Sequence, residues 1–202
     1  MTLDVLFVNH LPLRSASTYR QAGFAKYLLR EGYRNSFLGR EYLTSLSAGK
    51  EEQSQPEWSA FSKITYWKEP LVPSCVQNIR ILSSEAQNAS VIHVNRANPF
   101  SASLVSLAKS RQRPLVVDME DWDGFGGYSS YANKHGPPGW LMTFYESTFP
   151  RKADAVLVVS QVMYSHFAKS GSSLPPSASD EELLIWGFLP PQDRSFQMDS
   201  RR

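Results

Sequence analysis

VIHVNRANPFSASLVSLAKSRQRPLVVDMEDWD, residues 91–123, decides the fold. It opens on the apolar run Val91–Val94, interrupted by His93, and closes on a second run, Leu115–Val117. Neither run alternates with polar residues, as expected of strands covered on both faces. Between them, Asn98-Pro99 reads as an N-cap with proline at the first helical position. Phe100, Leu104, Leu107 and Ala108 then recur at helical spacing. The stretch therefore predicts a strand, a helix and a parallel strand.

The same unit repeats on either side. Val5–Val8 and Ala155–Val159 are further apolar runs, and weaker strands are expected near Ser36–Leu38 and Lys63–Tyr66. Thr18 with Gln21 suggests a capping box before a helix that stops at Gly32. Trp140–Phe149 should form another helix, ending before Pro150, and a further one should run from a Ser160 cap to Gly171. Residues 41–62 are polar and read as a loop or irregular insertion. Strand–helix alternation predicts a single three-layer α/β domain with a mainly parallel sheet over residues 1–171. The four strong runs should be neighbouring inner strands. Residues 172–202 are rich in serine and proline and read as a linker-like tail, with one short strand near Leu183–Ile185.

Composition narrows the function. The 202 residues are 42% hydrophobic and carry a net charge of +2, which supports a buried core and gives no argument for nucleic acid. Cys75 is the one cysteine, so a reducing, cytoplasmic setting is expected. No stretch approaches the roughly 20 apolar residues of a membrane helix. Tyr19, Arg20, Phe24, Lys26, Tyr27 and Arg30 could form a basic aromatic face for peripheral contact with the inner side of an anionic membrane. The competing reading is a solvated face over a core stripe.

In an open parallel sheet, ligands sit beyond the carboxyl ends of the strands. The residues just past each apolar run sample that rim. They are Asn9, His10 and the loop with Arg14, Ser15 and Ser17; then Asn95 and Arg96; then Asp118, Glu120, Asp121 and Trp122; then Ser160. No glycine-rich dinucleotide or P-loop signature comes after the first run, and no G-x-S-x-G elbow is present. The four histidines show no metal-ligand spacing, and the acids fail the EF-hand pattern at Trp122 and Phe125. Asp121-Trp122-Asp123 matches the letters of a metal-binding Asp-x-Asp motif, a three-letter pattern of low specificity.

The order of these segments resembles the N-terminal domain of family 4 GT-B glycosyltransferases. The residues that carry the resemblance are Asp118, Glu120 and Asp121, then Glu146 in a helix, then Ala153-Asp154-Ala155-Val156-Leu157-Val158-Val159-Ser160. The resemblance implies one Rossmann-like half of a GT-B fold. It implies an acceptor-binding domain of an enzyme that transfers sugar from a nucleotide sugar to a glycan or lipid-linked acceptor, as in polysaccharide biosynthesis. On that reading Glu120 and Asp121 are the catalytic candidates. Asn9, His10, Arg14, Ser15, Ser17, Asn95, Arg96, Trp122 and Ser160 are the acceptor-binding ones. No metal or other cofactor is implied. A C-terminal donor-binding domain or partner subunit is implied, and the family's E-x7-E motif has no match here. The chain alone is therefore expected to be inactive. Two departures stand out: the first loop reads Arg14-Ser15-Ala16-Ser17 in place of a Gly-Gly pair, and Glu120 stands where many members carry histidine. Alternation lets one of Glu120 and Asp121 face the cleft, and Glu120 is expected to be that one. A non-catalytic glycan- or protein-binding module, or a degenerate remnant, stays open beside this reading.

Overall fold

Side chains in the first strand point to opposite faces of the sheet, and each face carries its own apolar cluster. A computed structural model describes residues 3–12, 15–40, 56–69, 71, 73–109, 112–121, 137–159 and 163. The strands are β1 (Asp4–Pro12), β2 (Arg34–Arg40), β3 (Lys63–Tyr66), β4 (Val91–Asn95), β5 (Leu115–Met119) and β6 (Ala155–Val158). The helices are α1 (Ala16–Arg30), α2 (Cys75–Asn88), α3 (Pro99–Lys109) and α4 (Pro137–Thr148). The six strands lie in the order β3-β2-β1-β4-β5-β6 and every pairing is parallel. The four runs expected to neighbour one another are β1, β4, β5 and β6, in that order. β6 stands at the edge of the described sheet instead of inside it. Its Val156 and Val158 are buried, while Ala155 and Leu157 on the other face are half-buried.

One core lies under α2, α3 and α4. It joins Leu6, Val8, Ile92, Val94, Leu115 and Val117 to Leu82, Ala102 and Val105, with Tyr145 packed against it. The other lies under α1 and joins Val5, Phe7 and Phe37 to Ala22, Ala25, Trp58 and Phe61. These are the three layers that the sequence predicts.

Local chemistry fixes the helix ends. α1 begins at a Ser15 cap, whose Oγ accepts from the Thr18 N–H at 3.2 Å. The Thr18–Gln21 capping box is therefore corrected: both residues lie inside the helix and are fully buried. α1 ends in a Schellman arrangement, with Gly32 N–H on Leu29 O and Tyr33 N–H on Leu28 O. Gly32 takes φ +85°, which glycine adopts without steric cost. Asn98 caps α3 as expected, its Oδ1 accepting from Phe100 and Ser101 N–H. α4 starts three residues before the expected Trp140, because Pro137 and Pro138 occupy the first turn, where a missing N–H costs nothing.

Three expectations need amendment. α2 was not foreseen. Ser74 gives it no side-chain cap, and Asn78 is fully buried on it, bonded to the backbone of Lys68. The expected loop over 41–62 is in part structured: Pro56–Ala60 forms a 3-10 turn, and Trp58 is only 1% exposed. The proposed membrane face on α1 loses two members. Arg20 turns inward to β5 and Phe24 packs on the α1 core. The helix expected over 160–171, apart from Met163, and the strand near 183–185 lie outside the described residues, as does the tail.

Candidate functional site

The carboxyl ends of β1, β4 and β5 meet under the first turns of α1. Asn95 and Asp118 are paired in register, so their side chains share a face. That face is the α1 side, because Arg20 of α1 reaches Asp118 and Gln21 of α1 reaches His93, two residues before Asn95. Asn9 of β1 joins them there through Thr18 and Gln21.

Asn9 is fully buried and its side chain is spent on structure. Its Nδ2 donates to Thr18 Oγ1 at 3.2 Å and to Gln21 Oε1 at 2.9 Å, and its Oδ1 accepts from Leu11 N–H. Gln21 Nε2 donates to His93 Nδ1 at 3.2 Å, which places the imidazole proton on Nε2. Burial pushes the His93 pKa down to about 3, with Arg20 adding to the effect. His10 is also held neutral. Burial first, then Arg96 and Arg40, lower its pKa to about 4, and its Nδ1 accepts from Asn98 Nδ2 at 2.8 Å.

The acids are held by arginines. Arg20 forks onto Asp118, Nε to Oδ2 at 2.9 Å and Nη2 to Oδ1 at 3.1 Å, and its Nε lies 3.6 Å from Glu120 Oε1. Asp118 is fully buried; burial raises its carboxyl pKa and outweighs the downward pull of Arg20 and Arg96. Arg96 bonds Asp121 through Nη2, and its Nε lies 3.7 Å from Glu120 Oε2. Its backbone sits at φ +58°, a strained conformation for a residue other than glycine. From there its N–H donates to Asp118 O at 2.8 Å, across to β5. Ser17 Oγ donates to Glu120 Oε2.

The predicted site residues therefore separate. Ser17, Asn95, Arg96, Glu120 and Asp121 converge on the rim, and Asn9 and His10 border it. Ser15 is the cap of α1. Arg14, Trp122 and Ser160 lie outside the described residues. β5 ends at Met119, so strand alternation does not extend to the two acids. The Glu120 side chain is only 10% exposed, closed in by Ser17 and the two arginines, whereas that of Asp121 is 58% exposed. The open carboxylate is therefore Asp121, not Glu120. Glu146 is buried in the last turn of α4, which returns toward the start of β6 and away from this rim. Sequence reasoning missed Arg20 and Gln21 as rim residues. The signal was their spacing from Ser17, at i+3 and i+4 on one helical face. Among the described residues, no group of three His, Cys, Asp or Glu could hold a metal ion.

A family model for the glycosyl transferase 4-like domain matches residues 25–177. The chain belongs to this family. The resemblance read from Asp118, Glu120, Asp121, Glu146 and residues 153–160 thus holds, and solved structures agree with it in fold. The UDP-bound MnaA of S. aureus superposes with TM-score 0.61 at 13% identity, over 92% of this chain and 44% of that one. A putative UDP-N-acetylglucosamine 2-epimerase from Listeria monocytogenes gives 0.57 at 10%, over 92% and 44%. Phytolacca americana UGT2, complexed with UDP-2-fluoroglucose and pterostilbene, gives 0.55 at 11%, over 96% and 56%. At such identities the likeness speaks for the fold alone: a Rossmann-like domain of the kind that makes up GT-B proteins. This glycosyl transferase 4-like chain spans about half the length of those structures. No curated protein sequence matches it significantly.

Proposed function

We propose that this glycosyl transferase 4-like chain is the acceptor-side half of a GT-B glycosyltransferase. The enzyme transfers a sugar from a nucleotide sugar to a hydroxyl of a glycan or lipid-linked glycan, and a second domain or subunit holds the donor. The observation that carries this reading is the rim at β4 and β5, where Glu120, Asp121, Arg96 and Ser17 converge in a chain of this family. Asp121 accepts a hydrogen bond from an acceptor hydroxyl, which suits an exposed carboxylate. Glu120, fixed by Ser17 and two arginines, keeps a set position beside the transferring sugar, so orientation is its contribution. The basic groups that stabilise the leaving diphosphate belong to the donor half, so this chain alone turns nothing over. The reaction runs at the cytoplasmic face of a membrane when the acceptor is lipid-linked; no described helix is long and apolar enough to cross one.

The test uses this chain reconstituted with a donor-binding half. Glu120→Gln should lower turnover clearly more than it weakens donor binding. Unchanged turnover, or turnover of a nucleotide sugar by the 202-residue chain alone, would refute the proposal.

A further inference from the structure

Among the described residues, the arginines at the rim are paired with carboxylates. Arg20 faces Asp118 and Glu120, Arg96 faces Glu120 and Asp121, and Arg40, the neighbour of His10, is paired with Glu69. Three guanidiniums thus meet four carboxylates among the described residues, a formal balance of −1. The Arg20 side chain is 10% exposed and both its Nε and Nη2 are spent on Asp118. The Arg96 side chain is 20% exposed and is held between two acids by a strained backbone. An incoming phosphate would meet guanidiniums whose charge is already offset by carboxylates, and it would add a further anion to a formal balance of −1.

Apart from Arg96 Nε, which lies 3.7 Å from Glu120 Oε2, the polar atoms left over at the rim among the described residues are neutral or accepting. The Asn95 side chain is fully buried, lies beside Asp118 on the same face, and has no hydrogen-bond partner for either its Oδ1 or its Nδ2 among the described residues. Glu120 Oε1 makes no hydrogen bond there either. Orphaned buried groups of this kind cost about 1–3 kcal/mol each unless something fills the gap. His10 offers an N–H on an uncharged ring, and Asp121 offers an open carboxylate. A hydroxyl, which both donates and accepts, complements this mixture; a phosphate, which chiefly accepts, does not.

We infer that this rim reads its acceptor through uncharged hydroxyls and excludes acceptors that present a phosphate or carboxylate to it. The inference rests on the acceptor-side reading above and makes Asp121 its specificity residue. The experiment applies the full chain, presented multivalently, to a printed array of neutral, uronic-acid and phosphorylated saccharides. Neutral saccharides should be bound at least tenfold more strongly than phosphorylated counterparts of the same skeleton. Asp121→Lys, which reverses the exposed charge and frees Arg96, should narrow that ratio at least tenfold. Asp121→Asn, nearly isosteric, should narrow it less, and circular dichroism checks both folds. Equal or stronger binding of anionic saccharides by the natural chain overturns the inference and leaves the proposed function standing. A preference untouched by either Asp121 substitution also overturns it. Binding to no saccharide overturns both.

Discussion

Replacing Arg20 by methionine keeps the stem that packs near Phe24 and deletes the fork that holds Asp118. The guanidinium carbon lies 5.0 Å from the Phe24 ring centre; the variant gives up that cation–π contact and sets a thioether near the ring in its place. Asp118 does not move out with it: its side chain is fully buried on β5, in register with Asn95 of β4. Breaking such a pair from one side costs about 3–5 kcal/mol, because the remaining charge is uncompensated. With a urea slope of about 2 kcal/mol/M, the midpoint should fall by about 2 M. The loss also depends on pH. Burial already raises the Asp118 pKa, and Arg20 is the chief group pulling it back down. Without Arg20 the carboxyl takes up its proton at still higher pH in the folded state. A folded pKa above the unfolded one means that stability falls as pH rises through the interval between them and returns on acidification. The gap between variant and natural chain should therefore narrow from about pH 7 to about pH 5. Adding Asp118→Asn, which removes the stranded charge, should recover most of the loss. Urea melts of the three proteins at both pH values decide it. A gap equal at both, and unchanged by Asp118→Asn, would refute the account of this pair.

Three further outcomes are expected. His10 and His93, with folded pKa values of about 4 and 3, should show no titration in NMR near the ordinary value of 6.5. Because both values are depressed, the stability they contribute is full above 6.5 and is lost as pH falls toward them; a histidine shift midpoint near 6.5 for either would contradict their burial. Gly39→Ala should destabilise by about 1–3 kcal/mol in thermal melts, since a Cβ there runs into the buried Phe37 ring; a neutral result would mean that the ring repacks freely. Gln112, exposed at φ +62°, should become slightly more stable as glycine, by up to about 1 kcal/mol, and a measured loss would place an unseen role on its side chain.

The sheet was legible because β1, β4, β5 and β6 each carry an apolar run that does not alternate with polar residues, interrupted only by His93 in β4, and runs covered on both faces announce a parallel sheet. The α3 cap was legible because Asn-Pro is local chemistry. α2 was not, because its buried residues Asn78, Leu82 and Ala86 include a polar one and no residue caps its start. The rim residues just past the strands were found by position alone. Arg20 was not, since an arginine within an amphipathic helix reads as a solvated charge until the packing of α1 on the sheet sets it opposite Asp118. The exposure of the two acids also escaped the pattern, because the chain leaves strand geometry at Met119, and tertiary partners then choose the direction of each side chain.

The chain of shared partners at the rim has an evolutionary consequence. Arg20 serves both Asp118 and Glu120, and Arg96 serves both Glu120 and Asp121, while Ser17 adds a third hold on Glu120. A change at any one of these positions alters the background in which the next is judged, so their effects cannot add. In relatives these positions should drift as a block, a new acid arriving with a new base, or all of them becoming neutral together. A histidine at position 120 would then be tolerated only where the arginines at 20 and 96 had also been exchanged, and grafting that single residue into this chain would take from both arginines the carboxylate they share.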